Sequence, residues 1–292
     1  MKGDVKLWQI LSDKLEMLRV SARLPEAIRV AEAALDLARR AFPAGAPELA
    51  LSFERLGQLR DQQGDRDGAK PFLVKAHALL EASLTPDSPS LYRSARRLAY
   101  LCDNLGQDEE AIKYYEKAIQ AGGQIADLSY SDLGTMLNNV ALIYRKSGRQ
   151  KAAEPYYHHA LHIYEKQLGP VHSDVASVLN NLGVFYTNER RFDEAEKTHL
   201  RSLAIREKVH PAGHSDIAQS KCNLAVVYHS RGDFERAGEL YRESLKSWEE
   251  QTTKPPKDYE IAASNYADLL RSLGKARKAN ALEERARKKR RG

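Results

Sequence analysis

The chain has 292 residues, of which 42% are hydrophobic and 29% are charged. This balance is typical of a folded helical protein in water, and it excludes a disordered chain and a membrane-spanning one. An apolar stretch at the N-terminus is interrupted by charged residues, so we expect no secretory signal. The only cysteines, Cys102 and Cys222, fall on separate predicted helices, which favours a reducing cytoplasmic location.

The formal net charge of +6 is concentrated at the C-terminus. Six basic residues lie within the last eight positions: Arg285, Arg287, Lys288, Lys289, Arg290 and Arg291. Subtracting these 6 from 46 basic residues leaves 40, against 40 acidic residues in the whole chain. We therefore predict a repeat body that is neutral on average, residues 1–284, and a basic tail, residues 285–292.

Alanine recurs every 42 residues from one end of the chain to the other. The alanine column consists of Ala27, Ala69, Ala111, Ala153, Ala195, Ala237 and Ala279. A glycine column with the same period consists of Gly64, Gly106, Gly148, Gly232 and Gly274, with Ala22 and Arg190 as its two departures. Seven units of this length account for essentially the whole sequence, so we predict a repeat protein with one continuous stacked core.

Each unit has the pattern of a helical hairpin. Leu179, Leu182 and Tyr186 lie three or four residues apart, as one face of a helix requires, and residues 188–191 interrupt that pattern. A second amphipathic segment follows, and its small Ala195 suits a close crossing of two helices. In the loops between hairpins, Asp174 and the periodic Asp216 are predicted to cap the helix that follows.

The units resemble the tetratricopeptide repeat, whose Leu-Gly-x2-Tyr and following Ala match residues 182–186 and Ala195. The period of 42 instead of about 34 resembles kinesin light chains, as do the segments LNNLGVFY and GPVHSDVA. HEAT-type repeats lack this glycine and alanine arrangement. The resemblance implies an all-α solenoid of seven hairpins in a right-handed superhelix, with the first helix of each hairpin lining a concave groove.

The resemblance also implies which side chains face a partner in that groove. One column consists of Asn139, Asn181, Asn223 and Asn265, whose amides can hold a peptide backbone. Toward the N-terminus the same column changes to Arg97 and Arg55, with Arg93 one turn before Arg97. Kinesin-light-chain-like grooves accept acidic peptides, so we expect an acidic protein segment near these arginines. The alternative is that the column is solvated, or bonded within neighbouring hairpins.

The basic tail has three candidate partners: anionic lipid headgroups, an acidic protein surface and nucleic acid, of which nucleic acid is the least favoured. The alternative is a solubilising cap on the last helix. Short light-chain-like proteins occur in bacteria with tubulin homologues, so the resemblance suggests an adaptor on tubulin-like filaments, with membrane tethering by the tail. The second hypothesis is a regulatory sensor that binds a signalling peptide.

No sequence motif indicates an enzyme, a cofactor or a small-molecule substrate. His158 and His162 have a spacing that suits a metal, but no further ligand obviously completes a site, so we expect none. His172 with Asp174, and His214 with Asp216, look like catalytic pairs. Because they repeat in equivalent loops, we interpret them as a structural device.

Overall fold

The computed structural model describes residues 2–125, 130–251 and 255–291, and these contain helices and no strand. They form two compact units, Met1–Ser129 and Tyr130–Gly292. The helices of the first unit are α1 (Lys2–Val20), α2 (Leu24–Ala41), α3 (Pro47–Gln62), α4 (Arg66–Ser83), α5 (Pro89–Asn104) and α6 (Asp108–Gly122). Those of the second are α7 (Tyr130–Lys146), α8 (Gln150–Leu168), α9 (Ser173–Asn188), α10 (Phe192–Val209), α11 (Ser215–Arg231), α12 (Phe234–Gln251), α13 (Lys257–Ser272) and α14 (Ala276–Arg291).

Consecutive helices pair as hairpins, three in the first unit and four in the second. Within each unit, the second helix of a hairpin also contacts the first helix of the next one. Each hairpin therefore buries its apolar face against its neighbours, as a stack of repeats requires. The predicted all-α repeat solenoid with helical hairpins is confirmed in both units.

The alanine column is fully buried in every hairpin. All seven alanines of the column have 0% of their surface exposed. A larger side chain at such a fully packed position would displace its neighbours. The periodic alanine thus has the same packing role in each hairpin.

The turn within each hairpin requires a left-handed residue. The five glycines of the column have φ between +69° and +91°. Ala22 and Arg190, which stand at the glycine position in the two other hairpins, adopt the same left-handed conformation, with φ of 55° and 60°. Since a side chain destabilises this conformation, the turn geometry is imposed by the packed helices on either side and not by glycine alone.

The caps of α9 and α11 differ from the sequence prediction. Nδ1 of His172 accepts a hydrogen bond from the Asp174 amide at 3.1 Å, and Nδ1 of His214 accepts one from the Asp216 amide at 3.2 Å. The prediction that the aspartates themselves cap these helices is wrong, because each lies in the first helical turn. There its carboxylate interacts favourably with the helix dipole. The structural interpretation of the periodic His–Asp pairs is confirmed.

Apolar cores fill both units. Trp8 is buried in the first and donates from Nε1 to Ser52 Oγ at 2.9 Å, and Trp248 is buried in the second and donates to Ser215 Oγ at 2.8 Å. Both cysteines are buried and free, and burial raises the pKa of Cys102 to about 11 and of Cys222 to about 12. Within the described residues, no helix has the length and apolar character needed to cross a bilayer.

Candidate functional site

Two of the three predicted groove arginines line one cavity in the first unit. This arginine cavity has a volume of about 310 Å³ and is formed by Asp61, Arg66, Arg93, Arg96, Arg97, Tyr100, Leu101 and Asn104. Four arginines and a single aspartate contribute its charged groups, so the cavity carries an excess of positive charge. The sequence analysis missed Arg66 and Arg96. The run Arg96-Arg97 was the available signal, but only its second member belongs to the periodic column.

Arg97 is the most deeply placed of these groups. Its Nε is buried without a hydrogen-bond partner among the described residues. Burial lowers the pKa of Arg97, while the carboxylates of Glu54 and Asp61 act in the opposite direction. A guanidinium remains protonated in any case, so the cavity holds a desolvated cation that is incompletely satisfied.

The other arginines of the cavity are held at its surface. Arg93 is exposed and donates from Nη2 to Ser90 Oγ at 3.0 Å. The guanidinium of Arg96 lies over the ring of Tyr92, 5.7 Å from its centroid. Arg66 lies 3.8 Å from a carboxylate oxygen of Asp61. These contacts orient the three guanidinium groups at the cavity.

Arg55 lies in a different cavity of about 310 Å³, between α1 and α3. This cavity contains two acidic residues, Glu16 and Glu54, beside two basic ones, Arg19 and Arg55. Its charges balance, in contrast to those of the arginine cavity. The structure therefore separates Arg55 from Arg93 and Arg97, which the sequence analysis had grouped.

The asparagine column of the second unit is half-buried and partly bonded inside the stack. Asn181 donates from Nδ2 to Asn138 Oδ1 at 3.0 Å, and Asn223 donates to Asn180 Oδ1 at 2.8 Å. Asn139 and Asn265 are also half-buried. Two members of the column thus donate across hairpins to Asn138 and Asn180, which directly precede Asn139 and Asn181 and which the sequence analysis did not identify.

The first helices of neighbouring hairpins are spaced differently in the two units. In the second unit α7 contacts α9, α9 contacts α11 and α11 contacts α13. In the described part of the first unit, no Cα atoms of α1, α3 and α5 lie within 8 Å of one another, and α1 and α3 meet through side chains such as Trp8 and Ser52. The arginine cavity and the cavity of Arg55 lie between these helices, so the arginine-containing hairpins offer room for a partner's side chains.

The basic tail continues helix α14. Arg285 and Lys289 lie 2.9 and 3.7 Å from the carboxylate of Glu249, and Lys288 lies 2.7 Å from that of Glu284. Arg287 lines a small cavity with acidic neighbours. The side chains of Arg290 and Arg291 lie outside the described residues. Exposed ion pairs of this kind are weak, so they leave the tail able to exchange partners.

One histidine of α8, His158, contacts its own helix and the first helix of the following hairpin. Nε2 of His158 lies 3.1 Å from Tyr186 Oη, and 3.7 Å from a carboxylate oxygen of Glu154. Burial, followed by the charge of Glu154, raises the pKa of Tyr186 to about 12. The phenol is therefore neutral at physiological pH and acts here as a hydrogen-bonding group.

The sequence matches the family profile described as Tetratricopeptide repeat over residues 132–208, 174–250 and 216–291, and a second profile of the same description over 96–121. The chain belongs to the tetratricopeptide-repeat family. It is of the kinesin-light-chain-like type, as its 42-residue unit predicts. Proteins of this family are generally binding scaffolds, and the fold supports a protein or peptide partner. A search of curated proteins finds no match.

Among solved structures, the tetratricopeptide-repeat chain is similar to BtubC (BKLC) from P. vanneervenii, with 30% identity, 77% of this chain and 90% of that chain covered, and a TM-score of 0.58. A tetratricopeptide repeat protein from Parabacteroides merdae shares 18% identity over 82% of this chain and 79% of its own, with a TM-score of 0.61. The C-terminal part of a repeat protein from Cytophaga hutchinsonii shares 14% identity over 95% and 93%, with a TM-score of 0.59. The last two similarities show the fold alone.

Proposed function

We propose that the protein is a non-enzymatic scaffold whose first unit binds an acidic segment of a partner protein at the arginine cavity. The observation that carries this proposal is the convergence of four arginines on one open cavity with a single aspartate. Guanidinium groups pair with carboxylates through two parallel hydrogen bonds, and such charge-assisted bonds are about twice as strong as neutral ones. The unsatisfied Nε of Arg97 adds a buried donor that a partner's carboxylate could satisfy.

The asparagine column supports a secondary role in the same binding mode. Asn181 and Asn223 use an amide N–H within the stack, which leaves their carbonyl oxygens to accept bonds from a peptide backbone. Asn139 and Asn265 lie at the equivalent positions. We infer that the arginines of the first unit select an acidic segment, and that the asparagines of the second unit can hold a peptide segment without regard to its sequence.

The test is a double substitution, Arg93→Ala with Arg97→Ala, in the full chain. Binding is measured by fluorescence anisotropy with a labelled peptide that contains several Asp and Glu residues and one Trp. Hydrogen bonds to charged groups contribute about 1.5–3 kcal/mol each, so we expect the affinity to fall roughly tenfold or more. The matched control, Arg29→Ala with Arg40→Ala, removes the same charge from exposed positions of α2 and should leave binding almost unchanged.

Equal affinities of the two double variants would refute the arginine cavity as the site. A peptide in which Gln and Asn replace Glu and Asp tests the charge requirement separately. If it binds as tightly as the acidic peptide, the partner segment is not selected by its carboxylates.

The kinesin-light-chain resemblance suggests a more specific partner, a tubulin-like filament in the cytoplasm. Such filaments are expected to present acidic surfaces, which suit the arginine cavity. Co-pelleting with a polymerised tubulin homologue tests this: the wild-type chain should pellet and the Arg93→Ala, Arg97→Ala variant should remain in the supernatant. Binding of the acidic peptide without co-pelleting would keep the scaffold and exclude the filament. Tethering of the scaffold to an anionic membrane by the tail is a separate part of the proposal.

A further inference from the structure

Three potential metal ligands converge at the loop between α10 and α11. His210 ends α10, His214 is the N-cap of α11, and Asp216 lies in its first turn. One ligand atom from each of the three lies within 4.8 Å of the others. His210 Nε2 is 3.6 Å from a carboxylate oxygen of Asp216, and His214 Nδ1 is 4.0 Å from the other one. The ligand atoms of one tetrahedral zinc ion lie slightly closer together than the 3.6 and 4.0 Å found between these atoms.

The preceding loop shows that the third ligand is not part of the repeat. There His172 and Asp174 occupy the positions of His214 and Asp216, and Leu168 stands where His210 stands one period later. The His–Asp pair is therefore the general capping device of these loops. His210 is an addition to it, and the cap gives no reason for an imidazole at this position.

The imidazole of His210 is incompletely satisfied where it lies. Its Nε2 is buried and makes no hydrogen bond to any described residue. Its ring stacks on that of His214, with 4.0 Å between centroids and 6° between planes. A buried nitrogen without a partner is unfavourable, and a metal ion would satisfy it. Part of each side chain remains exposed, 20% for His210, 38% for His214 and 43% for Asp216, so an ion can enter from solvent.

We propose that His210, His214 and Asp216 form a binding site for a divalent transition-metal ion, and that Zn²⁺ fits it best. Two imidazoles and a carboxylate are a ligand set that zinc accepts, with the fourth tetrahedral position left to water. The cation of Arg206 lies nearby, with Nη1 bonded to the Asp216 carbonyl oxygen at 2.7 Å. Its charge opposes the ion, so the site is weaker than a structural zinc site with four protein ligands.

Metal binding changes the cap of α11. His214 Nδ1 is the acceptor for the Asp216 amide, and an ion on either ring nitrogen removes that acceptor: it occupies Nδ1 directly, or it binds Nε2 and places the proton on Nδ1. The parallel rings must also turn, because two lone pairs in parallel planes cannot meet at one ion. The ion therefore replaces the capping hydrogen bond as the contact that fixes this loop.

The experiment uses the full chain without a histidine tag, stripped of metal, and titrated with Zn²⁺ by calorimetry. We expect one tightest site per chain. His210→Phe keeps a ring to stack on His214 but has no ligand nitrogen, and Asp216→Asn removes the carboxylate charge. Each should weaken that site roughly tenfold or more, since even the loss of an outer-shell partner costs a metal site about that much. His172→Phe, in the equivalent loop without a third ligand, should leave it unchanged.

A second measurement on the wild-type chain does not depend on how the variants fold. Co²⁺ should broaden the amide NMR signals of residues 209–218 before others, and Zn²⁺ should speed hydrogen exchange at the Asp216 amide. Absence of a one-to-one site, equal affinity of His210→Phe and wild type, or broadening centred on His158 and His162 would each overturn the proposal. The outcome is independent of the arginine cavity, which lies in the other unit.

Discussion

The imidazole of His199 occupies the space that Gly183 leaves free. His199 has 0% of its surface exposed, and a Cβ atom on Gly183 would lie 2.6 Å from its ring. Gly183 is the glycine of the Leu-Gly-x2-Tyr pattern. Because a Cβ atom here would clash with His199, packing requires this glycine and backbone conformation does not. The histidine is the partner that makes it necessary.

Gly183→Ala should therefore destabilise the protein by about 1–3 kcal/mol, the usual effect of overpacking a core. Gly238 is the matched control, because its added Cβ would meet nothing closer than 3.8 Å. Gly238→Ala should stabilise its helix by about 0.5–1 kcal/mol. Urea unfolding of both variants decides the matter, and similar effects of the same sign would contradict the packing explanation.

His199 also makes stability depend on pH. Burial, assisted by the charge of Arg206, lowers the pKa of His199 to about 4 from an ordinary 6.5. The unfolded chain binds a proton that the folded chain excludes, so stability is complete above pH 6.5 and falls as the pH drops toward 4. At pH 5 the loss from this residue is about 2 kcal/mol.

The measurement is the free energy of unfolding at pH 7 and pH 5 for wild type and for His199→Gln. The variant should lose less stability than wild type between the two pH values, by about 2 kcal/mol. An equal loss would show that His199 does not titrate between the folded and unfolded states. The variant's lower stability at pH 7 is expected and does not affect this comparison.

Side-chain roles were only partly accessible from the sequence. The His–Asp pairs were correctly interpreted as structural, because a pair that repeats in equivalent loops does not have the pattern of a single active site. The internal bonds of Asn181 and Asn223 were not predicted, because they depend on how neighbouring hairpins align, which one repeat does not reveal. Arg66 and Arg96 join the arginine cavity from positions outside the periodic column, for the same reason.

The turns within hairpins illustrate how helices impose a conformation on a residue. Ala22 and Arg190 replace glycine at φ of 55° and 60°. A left-handed conformation destabilises a non-glycine residue by about 1–2 kcal/mol. Ala22→Gly should thus stabilise the protein by about 1 kcal/mol after the greater entropy of glycine in the unfolded chain is subtracted.

Arg190→Gly should gain less, since the guanidinium of Arg190 lies 5.9 Å from the Phe192 ring centroid and that contact is lost. The converse variant, Gly64→Ala, places a side chain at φ of 91° with no atom within 4 Å of its Cβ. It should destabilise by backbone strain alone. Thermal unfolding of all three tests the explanation, which fails if Ala22→Gly lowers the melting temperature.

For the chain as a whole, the tail is best tested by neutralising charge and not by truncation. Ala286 is 3% exposed and Arg285 pairs with Glu249, so deletion of residues 285–292 would also disturb the packing of α14. A triple alanine variant avoids this by changing Arg287, Arg290 and Arg291.

The three substitutions should reduce the affinity for phosphatidylserine-containing vesicles roughly 100-fold at low salt, at about 1 kcal/mol per charge. The affinity is measured by pelleting the vesicles. Binding by all variants should weaken at high salt. Three exposed cations elsewhere serve as the control: Arg29, Arg40 and Lys151. Equal effects of the two triple variants would leave the tail as a cap on the last helix.

The repeat number and the hairpins followed from the 42-residue period, and the family followed from the resemblance of residues 182–186 and Ala195 to the tetratricopeptide pattern. What the period could not provide was the difference between the units. The backbones of the first helices approach closely in the second unit, whereas in the described part of the first unit they lie farther apart and cavities lie between them.

The fully buried alanines have a consequence for how such a chain can evolve. Because the same buried methyl group packs inside every hairpin, substitutions at exposed positions leave that packing unchanged. Residues that do not recur, such as Arg93 and His210, can differ from one unit to the next while the alanine packing is kept. New specificities can therefore be acquired one unit at a time, at little risk to folding.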